Sequence, residues 1–212
     1  MKYPGKGGLF MTDLKYTKEY NPEDWFRIHK CFDDSTALTL LSFFPEEIHF
    51  SETGKRDGAN KFRTFAKKDT LLGDMFKNFA DREFRIHLSD ITGVNCTEGE
   101  LRVELCQDGA GFYLEPHIDI PEKVITLQIY LGQGNEDWGT SFYTQSGSYY
   151  ETVPFIHNTG WMATMNSPLV HGVEKNIVDG IRKSVIINYV VGNWRDKEQL
   201  YDYASSSGDD IS

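Results

Sequence analysis

Residues 111 to 123 read "GFYLEPHIDIPEK". Strand side chains alternate between faces, so positions two apart point the same way. Phe112, Leu114, Ile118 and Ile120 then share one face, and Tyr113, Glu115, His117 and Asp119 share the other. Short β-rich runs of this kind recur from about residue 100 onward. They predict strands near 101–107, 111–119, 124–132, 140–144, 151–157, 161–166, 169–174 and 183–191. "QDGAG" and "GQGNEDWG" supply turn chemistry between them. About eight short strands at this spacing imply a sandwich or jelly roll.

The chain before about residue 95 has a helical and irregular texture. Asn21, Pro22, Glu23 and Asp24 form a helix-start signal: a cap, a first-turn proline and acids at the positive end of the dipole. A helix is predicted from there to about Cys31. In "KKDTLLGDMFKNFADREF" the spacing of Leu71, Leu72, Met75, Phe76 and Phe79 predicts a second helix, capped by Asp69. "ITGVN", 91 to 95, closes this part. The expectation is one mainly β domain over residues 1–212, with flanking α. Its jelly-roll core runs from about 100 to 191, and N-terminal helices pack on an outer sheet face. The tail, about 204–212, contains "SSSGDDIS" and is expected to be disordered.

Composition narrows the setting. The chain carries 22 Lys and Arg against 32 Asp and Glu, a net charge of −10. That opposes general attraction to nucleic acid or an anionic membrane. Cys31, Cys96 and Cys106 are odd in number and widely spaced, which points to a reducing compartment rather than a disulfide framework. The first residues lack the apolar run of a signal peptide, and no run is long enough for a membrane span. A cytoplasmic protein is the expectation. One basic stretch, residues 54–68, interleaves Lys55, Arg56, Lys61, Arg63, Lys67 and Lys68 with Phe62 and Phe65. It reads first as a solvated loop and helix start, and second as a lid over a binding site.

His117 and Asp119 on one face are either a metal-ligand pair or a surface hydrogen bond. Context decides between them. His171 lies in a later β segment, "SPLVHGVEKN". Arg182 starts the last strand, "IRKSVIINYVV", and Ser184 shares its face. Two imidazoles and one carboxylate on one face of a metal leave adjacent positions open, the facial triad of non-haem Fe(II) oxygenases. A bidentate 2-oxo acid can fill two of them, and an arginine fork then suits its far carboxylate. His29, His49, His87 and His157 show no ligand spacing and read as structural or surface residues.

In these segments, with "VITLQIYLG", "WGTSFYT" and "GWMATMNSPLVHGV", the chain resembles the Fe(II)/2-oxoglutarate-dependent oxygenases, in their prolyl-hydroxylase-like branch. The resemblance covers about residues 87 to 191. It implies a double-stranded β-helix, with His117, Asp119 and His171 as iron ligands and as the catalytic set. Arg182, Ser184 and Tyr130 would bind 2-oxoglutarate, and O2 would be the other cosubstrate. Asp119 favours hydroxylation over halogenation, which needs a small residue there. Asn188 departs from relatives that carry Trp. The resemblance implies a protein substrate, with a prolyl residue as the first candidate; a small molecule (amino acid, nucleotide or sugar intermediate) is the alternative, and a non-catalytic jelly-roll binding module a further one.

Overall fold

The computed structural model describes residues 12–44 and 61–203. The tail expected to be disordered, His49 and the first part of the basic stretch lie outside the described residues. Two antiparallel sheets face each other. The strands are β1 (Thr12–Glu19), β2 (Trp25–Phe32), β3 (Lys61–Phe65), β4 (Glu100–Asp108), β5 (Leu114–His117) and β6 (Lys123–Leu131). They continue with β7 (Thr140–Tyr143), β8 (Tyr149–Val153), β9 (Gly160–Thr164), β10 (Val170–Val173) and β11 (Arg182–Val190). The large sheet has the order β1-β2-β9-β6-β11-β4-β3, and the small sheet β5-β10-β7-β8. From β4 to β11 the chain passes back and forth between the sheets, as a jelly roll does. All eight expected core strands form.

The large sheet has two chemically distinct faces. Leu101, Val103, Leu105, Ile125, Leu127, Ile129, Val185, Ile187 and Tyr189 point outward and join one hydrophobic cluster. Helices cover them. α1 (Asp34–Leu41), α2 (Leu71–Asp74), α3 (Lys77–Ala80) and α4 (Arg82–Thr92) contribute Leu40, Leu72, Phe79, Phe84 and Leu88 to the same cluster. The alternate residues of these strands point toward the small sheet and are largely polar: Arg102, Asp108, Thr126, Gln128, Arg182, Ser184 and Asn188 are all buried. Folding the apolar face against helices leaves the polar face to line a cavity between the sheets.

Two expectations for the N-terminal part are corrected. The segment after Asn21-Pro22 is not a helix but strand β2, paired with β1 and with β9. Its residues bury on both faces: Trp25 enters the inter-sheet cluster, and Phe26, Ile28, Cys31 and Phe32 enter the outer one. Strand pairing on both edges outweighs a local cap signal. The second helix is three pieces rather than one. Thr70, not Asp69, caps α2 by accepting from Gly73 N, and Asp81 starts α4 by accepting from Glu83 N and Phe84 N. Gly93, at φ 74°, ends α4 in the left-handed conformation that favours glycine. Within the basic stretch, residues 61–65 form edge strand β3 on β4. All three cysteines are free and buried. Among the described residues no helix is long and apolar enough to cross a membrane.

Candidate metal and cosubstrate site

Strand β5 is shorter than expected and ends at His117, so Ile118 and Ile120 are exposed rather than buried on a strand face. β5 lies at the edge of its sheet, where Pro116, which has no N–H, removes little. Its neighbour β10 pairs His171 directly with His117. In an antiparallel pair, opposite residues project to the same face, and the two rings lie 4.5 Å apart between centroids. Gly172, next to His171, keeps the strands close. A Cβ there would stand 2.5 Å from the Leu114 carbonyl oxygen. Asp119, just past the strand end, completes the group: ligand atoms of His117, Asp119 and His171 lie within 4.8 Å of one another.

Each member is held by its surroundings. His117 Nδ1 lies 3.0 Å from the Glu115 carbonyl oxygen, and His171 Nδ1 lies 3.0 Å from that of Leu169. A backbone carbonyl accepts only from a protonated nitrogen, so both rings keep Nε2 free as a lone-pair donor. Burial lowers the His171 pKa to about 4, against the opposing pull of Asp119. The ring is therefore neutral at physiological pH, as metal binding requires. Burial alone would raise the Asp119 pKa, but Lys123 and His171 more than reverse it and hold the carboxyl below its usual range. Lys123 Nζ donates to Asp119 Oδ1 at 2.5 Å, and Thr126 Oγ1 donates to Oδ2 at 2.8 Å.

Behind this cluster a cavity of about 160 Å³ runs between the sheets to Arg182. Pockets for drug-sized ligands begin at roughly 300 Å³, so this one suits a molecule of only a few carbons. Arg182 is 1 % exposed. Its Nε donates to the Trp138 carbonyl at 2.6 Å and its Nη1 donates to Asp108 Oδ2 at 2.9 Å. Its Nη2 is buried without a hydrogen-bond partner. A buried guanidinium N–H left unpaired is costly, so this donor is available to an anionic ligand. The donor set and this orphaned N–H fit Fe(II) and the two ends of 2-oxoglutarate.

Ser184 and Tyr130 are cross-strand partners on the same inner face. Ser184 Oγ accepts from Gln128 Nε2 at 3.3 Å. The Tyr130 hydroxyl donates to Thr140 Oγ1 and accepts from Thr140 N, while its ring lies 5.5 Å from the Arg182 guanidinium. Glu115 is ion-paired with Lys175 at the surface, and Tyr113 packs under the same lysine. Neither lines the inner cavity. His29 meets Thr17, and His157 Nδ1 accepts from Gly132 N, both away from the cluster.

The sequence pattern did not single out Trp161, Gln128, Thr140, Lys123 or Asp108, and it placed Arg63 in a loop or lid rather than in the cavity wall. The Trp161 ring lies 4.9 Å from the His171 ring, tilted by 58°, and its indole N–H donates to Gln128 Oε1 at 3.0 Å. The alternation of Thr126, Gln128 and Tyr130 along one strand was the available signal. Lys123 and Asp108 had none, because nothing local marks an ion pair formed across a fold.

No protein-family profile matches the sequence, and no curated protein does. Solved structures do match. A 2OG-Fe(II) oxygenase family oxidoreductase from Burkholderia pseudomallei is 15% identical, with a TM-score of 0.52 over 74% of this chain and 77% of its own. A Trichoplax adhaerens prolyl hydroxylase, solved with a peptide fragment of hypoxia inducible factor, is 14% identical, with a TM-score of 0.51 over 74% and 75%. The chain has the fold of these oxygenases. In this chain His117, Asp119 and His171 cluster, and they line the same inter-sheet cavity as Arg182.

Proposed function

We propose that the chain is an Fe(II)- and 2-oxoglutarate-dependent dioxygenase that hydroxylates an aliphatic C–H bond, on a prolyl side chain of a protein or peptide. One observation carries the reading: a metal-competent His117, Asp119, His171 cluster shares a small cavity with a buried arginine whose Nη2 lacks a partner. When bound, Fe(II) with O2 and 2-oxoglutarate supplies the oxidation, in which the 2-oxo acid loses CO2 to become succinate and one oxygen atom enters the C–H bond.

The residues of the chain bind, orient and exclude water. His117, His171 and Asp119 hold the metal through Nε2, Nε2 and a carboxylate oxygen. Arg182 holds the far carboxylate of 2-oxoglutarate through Nη2, and the Ser184 hydroxyl, which accepts from Gln128, retains its own proton to donate there. Tyr130 packs its ring against Arg182 and fixes the fork. Substrate enters from a second cavity of about 250 Å³, whose walls include Ile118, Ile120, Met165 and Leu169 beside His171 and Asp119. The walls are mixed: Pro121, Pro168 and Ala163 add apolar surface that would take an aliphatic ring such as a pyrrolidine, while Lys123, Thr126, Thr164 and Ser167 offer polar contacts to a peptide backbone.

The test is spectroscopic and then catalytic. Anaerobic Fe(II) plus 2-oxoglutarate should give the wild-type protein a weak visible charge-transfer band that His117→Ala lacks. Proline-containing peptides should then stimulate succinate release. A protein without the band is a binding module; stimulation by free amino acids, nucleotides or sugars but by no peptide overturns the prolyl assignment.

A further inference from the structure

Arg182 is not alone in its pocket. Asp108 sits directly opposite it on β4 and is 1 % exposed. A carboxylate at that spot is an obstacle, because it competes with any incoming carboxylate for the same guanidinium. Its other oxygen, Oδ1, accepts from Arg63 Nη2 at 2.6 Å. Arg63 comes from edge strand β3, where it pairs in register with Cys106, and it lines the same cavity. Its Nε also lies 3.4 Å from Glu104, which Arg102 binds at 2.8 Å. Three guanidiniums against two carboxylates give this linked network one net positive charge, and Arg63, Asp108 and Arg182 are the members that line the cavity. Burial pushes the Cys106 thiol well up, so it stays neutral and does not alter the balance.

We propose that Arg63 is a positioning residue for the 2-oxo acid: by neutralising Asp108 it leaves Arg182 able to accept a second carboxylate on its free Nη2. The inference rests on the reading of the cavity as a 2-oxoglutarate site. It gives Arg63, one residue of the basic stretch, a role that a solvated loop would not have. Without Arg63, Asp108 turns its whole charge on Arg182, and the wall falls to zero net charge before any ligand arrives. In a low-dielectric cavity that imbalance is weakly screened.

The experiment measures anaerobic binding to the metal-loaded protein by tryptophan fluorescence, with two probes. 2-Oxoglutarate has the far carboxylate; 2-oxobutyrate lacks it. Arg63→Ala should weaken 2-oxoglutarate roughly tenfold or more, as for loss of one partner in a buried charge network, and leave 2-oxobutyrate unchanged. Arg63→Ala/Asp108→Asn should recover most of the loss, because the unbalanced charge goes with the arginine. Asp108→Asn alone should bind 2-oxoglutarate at least as tightly as wild type, and it carries the test if Arg63→Ala does not fold. Equal weakening of both probes, failure of the double variant to recover, or weaker binding by Asp108→Asn would each overturn the proposal. A wild-type protein that binds neither probe would instead overturn the cosubstrate site itself.

Discussion

Lys123 and Arg182 show how single charges divide the site. Both Asp119 oxygens are engaged, Oδ1 by Lys123 Nζ at 2.5 Å and Oδ2 by Thr126 Oγ1 at 2.8 Å, and the ammonium is the charged competitor for a cation. A divalent ion must displace that ammonium and then sit near it. Lys123→Met removes both costs, worth about 1.5 kcal/mol or more for a charge-assisted hydrogen bond. Divalent affinity, read by Mn(II) or Co(II) titration, should rise roughly tenfold at about 1.4 kcal/mol per decade. Unchanged or weaker affinity would mean that Lys123 orients Asp119 rather than competing for it. In the proposed reading Arg182 holds the cosubstrate. Arg182→Ala should leave metal stoichiometry near wild type while 2-oxoglutarate binding falls by roughly one to four orders of magnitude, for a loss of about 2–5 kcal/mol. Arg182→Lys should recover part of it, since an ammonium restores the charge but cannot meet the Trp138 carbonyl, Asp108 and the ligand at three fixed positions as the guanidinium does. Tight 2-oxoglutarate binding by Arg182→Ala would remove the residue from the site.

Elements differ in how far the sequence announced them. The eight core strands were legible because alternation and turn residues are local signals; the metal cluster was legible only through the order of His117, Asp119, His171, Arg182 and Ser184 along the chain, which a family resemblance made readable. β2 was not, because the cap signal at Asn21 is local and the pairing that overrides it is not. That pairing is clamped by Asn158, at φ 63° in the turn before β9. Its Oδ1 accepts from Phe32 N at 2.9 Å and its Nδ2 donates to Phe32 O at 2.8 Å, both buried. Asn158→Ala strands those backbone groups and puts an alanine in the left-handed region. Urea denaturation should show a loss of about 2–4 kcal/mol. Asn158→Gly should be milder, because it relieves the backbone part alone. Equal stability of wild type and Asn158→Ala would show that β2 is held by its strand partners without the clamp. The adjacent His157 adds a pH dependence. Burial lowers its pKa, and Nδ1 accepts from Gly132 N, a bond the protonated ring cannot make. With a folded pKa below the usual 6.5, its contribution is fully present above that pH and is lost as pH falls through the folded value. His157→Asn keeps an acceptor without titrating there, and its stability should decline less between pH 7 and 5 than that of wild type. Parallel declines would exclude His157 as the source.

At the scale of the molecule, the large sheet has its apolar face outside under the helices and its polar face inside. A protein selected for stability alone would do the reverse with the inner pair, since Arg182 and Asp108 are both 1 % exposed and an apolar pair would fill the same space. Replacing a buried ion pair by matched hydrophobic residues is often neutral or stabilising by about 1–4 kcal/mol, whereas removing one partner costs about 3–5 kcal/mol. The two cases separate here. Arg182→Met leaves Asp108 buried with Arg63 as its remaining ion-pair partner and should lower the stability of the metal-free protein. Arg182→Met/Asp108→Leu removes the charge with its partner and should recover to wild-type stability or beyond, with Arg63 still paired to Glu104. Both variants keep His117, Asp119 and His171 and should bind divalent metal, yet neither should bind 2-oxoglutarate. Urea denaturation with metal and cosubstrate titrations on the two variants reads all three quantities. A double variant less stable than the single one would show that the ion pair holds the sheets together, and the polar interior would then be structural rather than retained for a ligand.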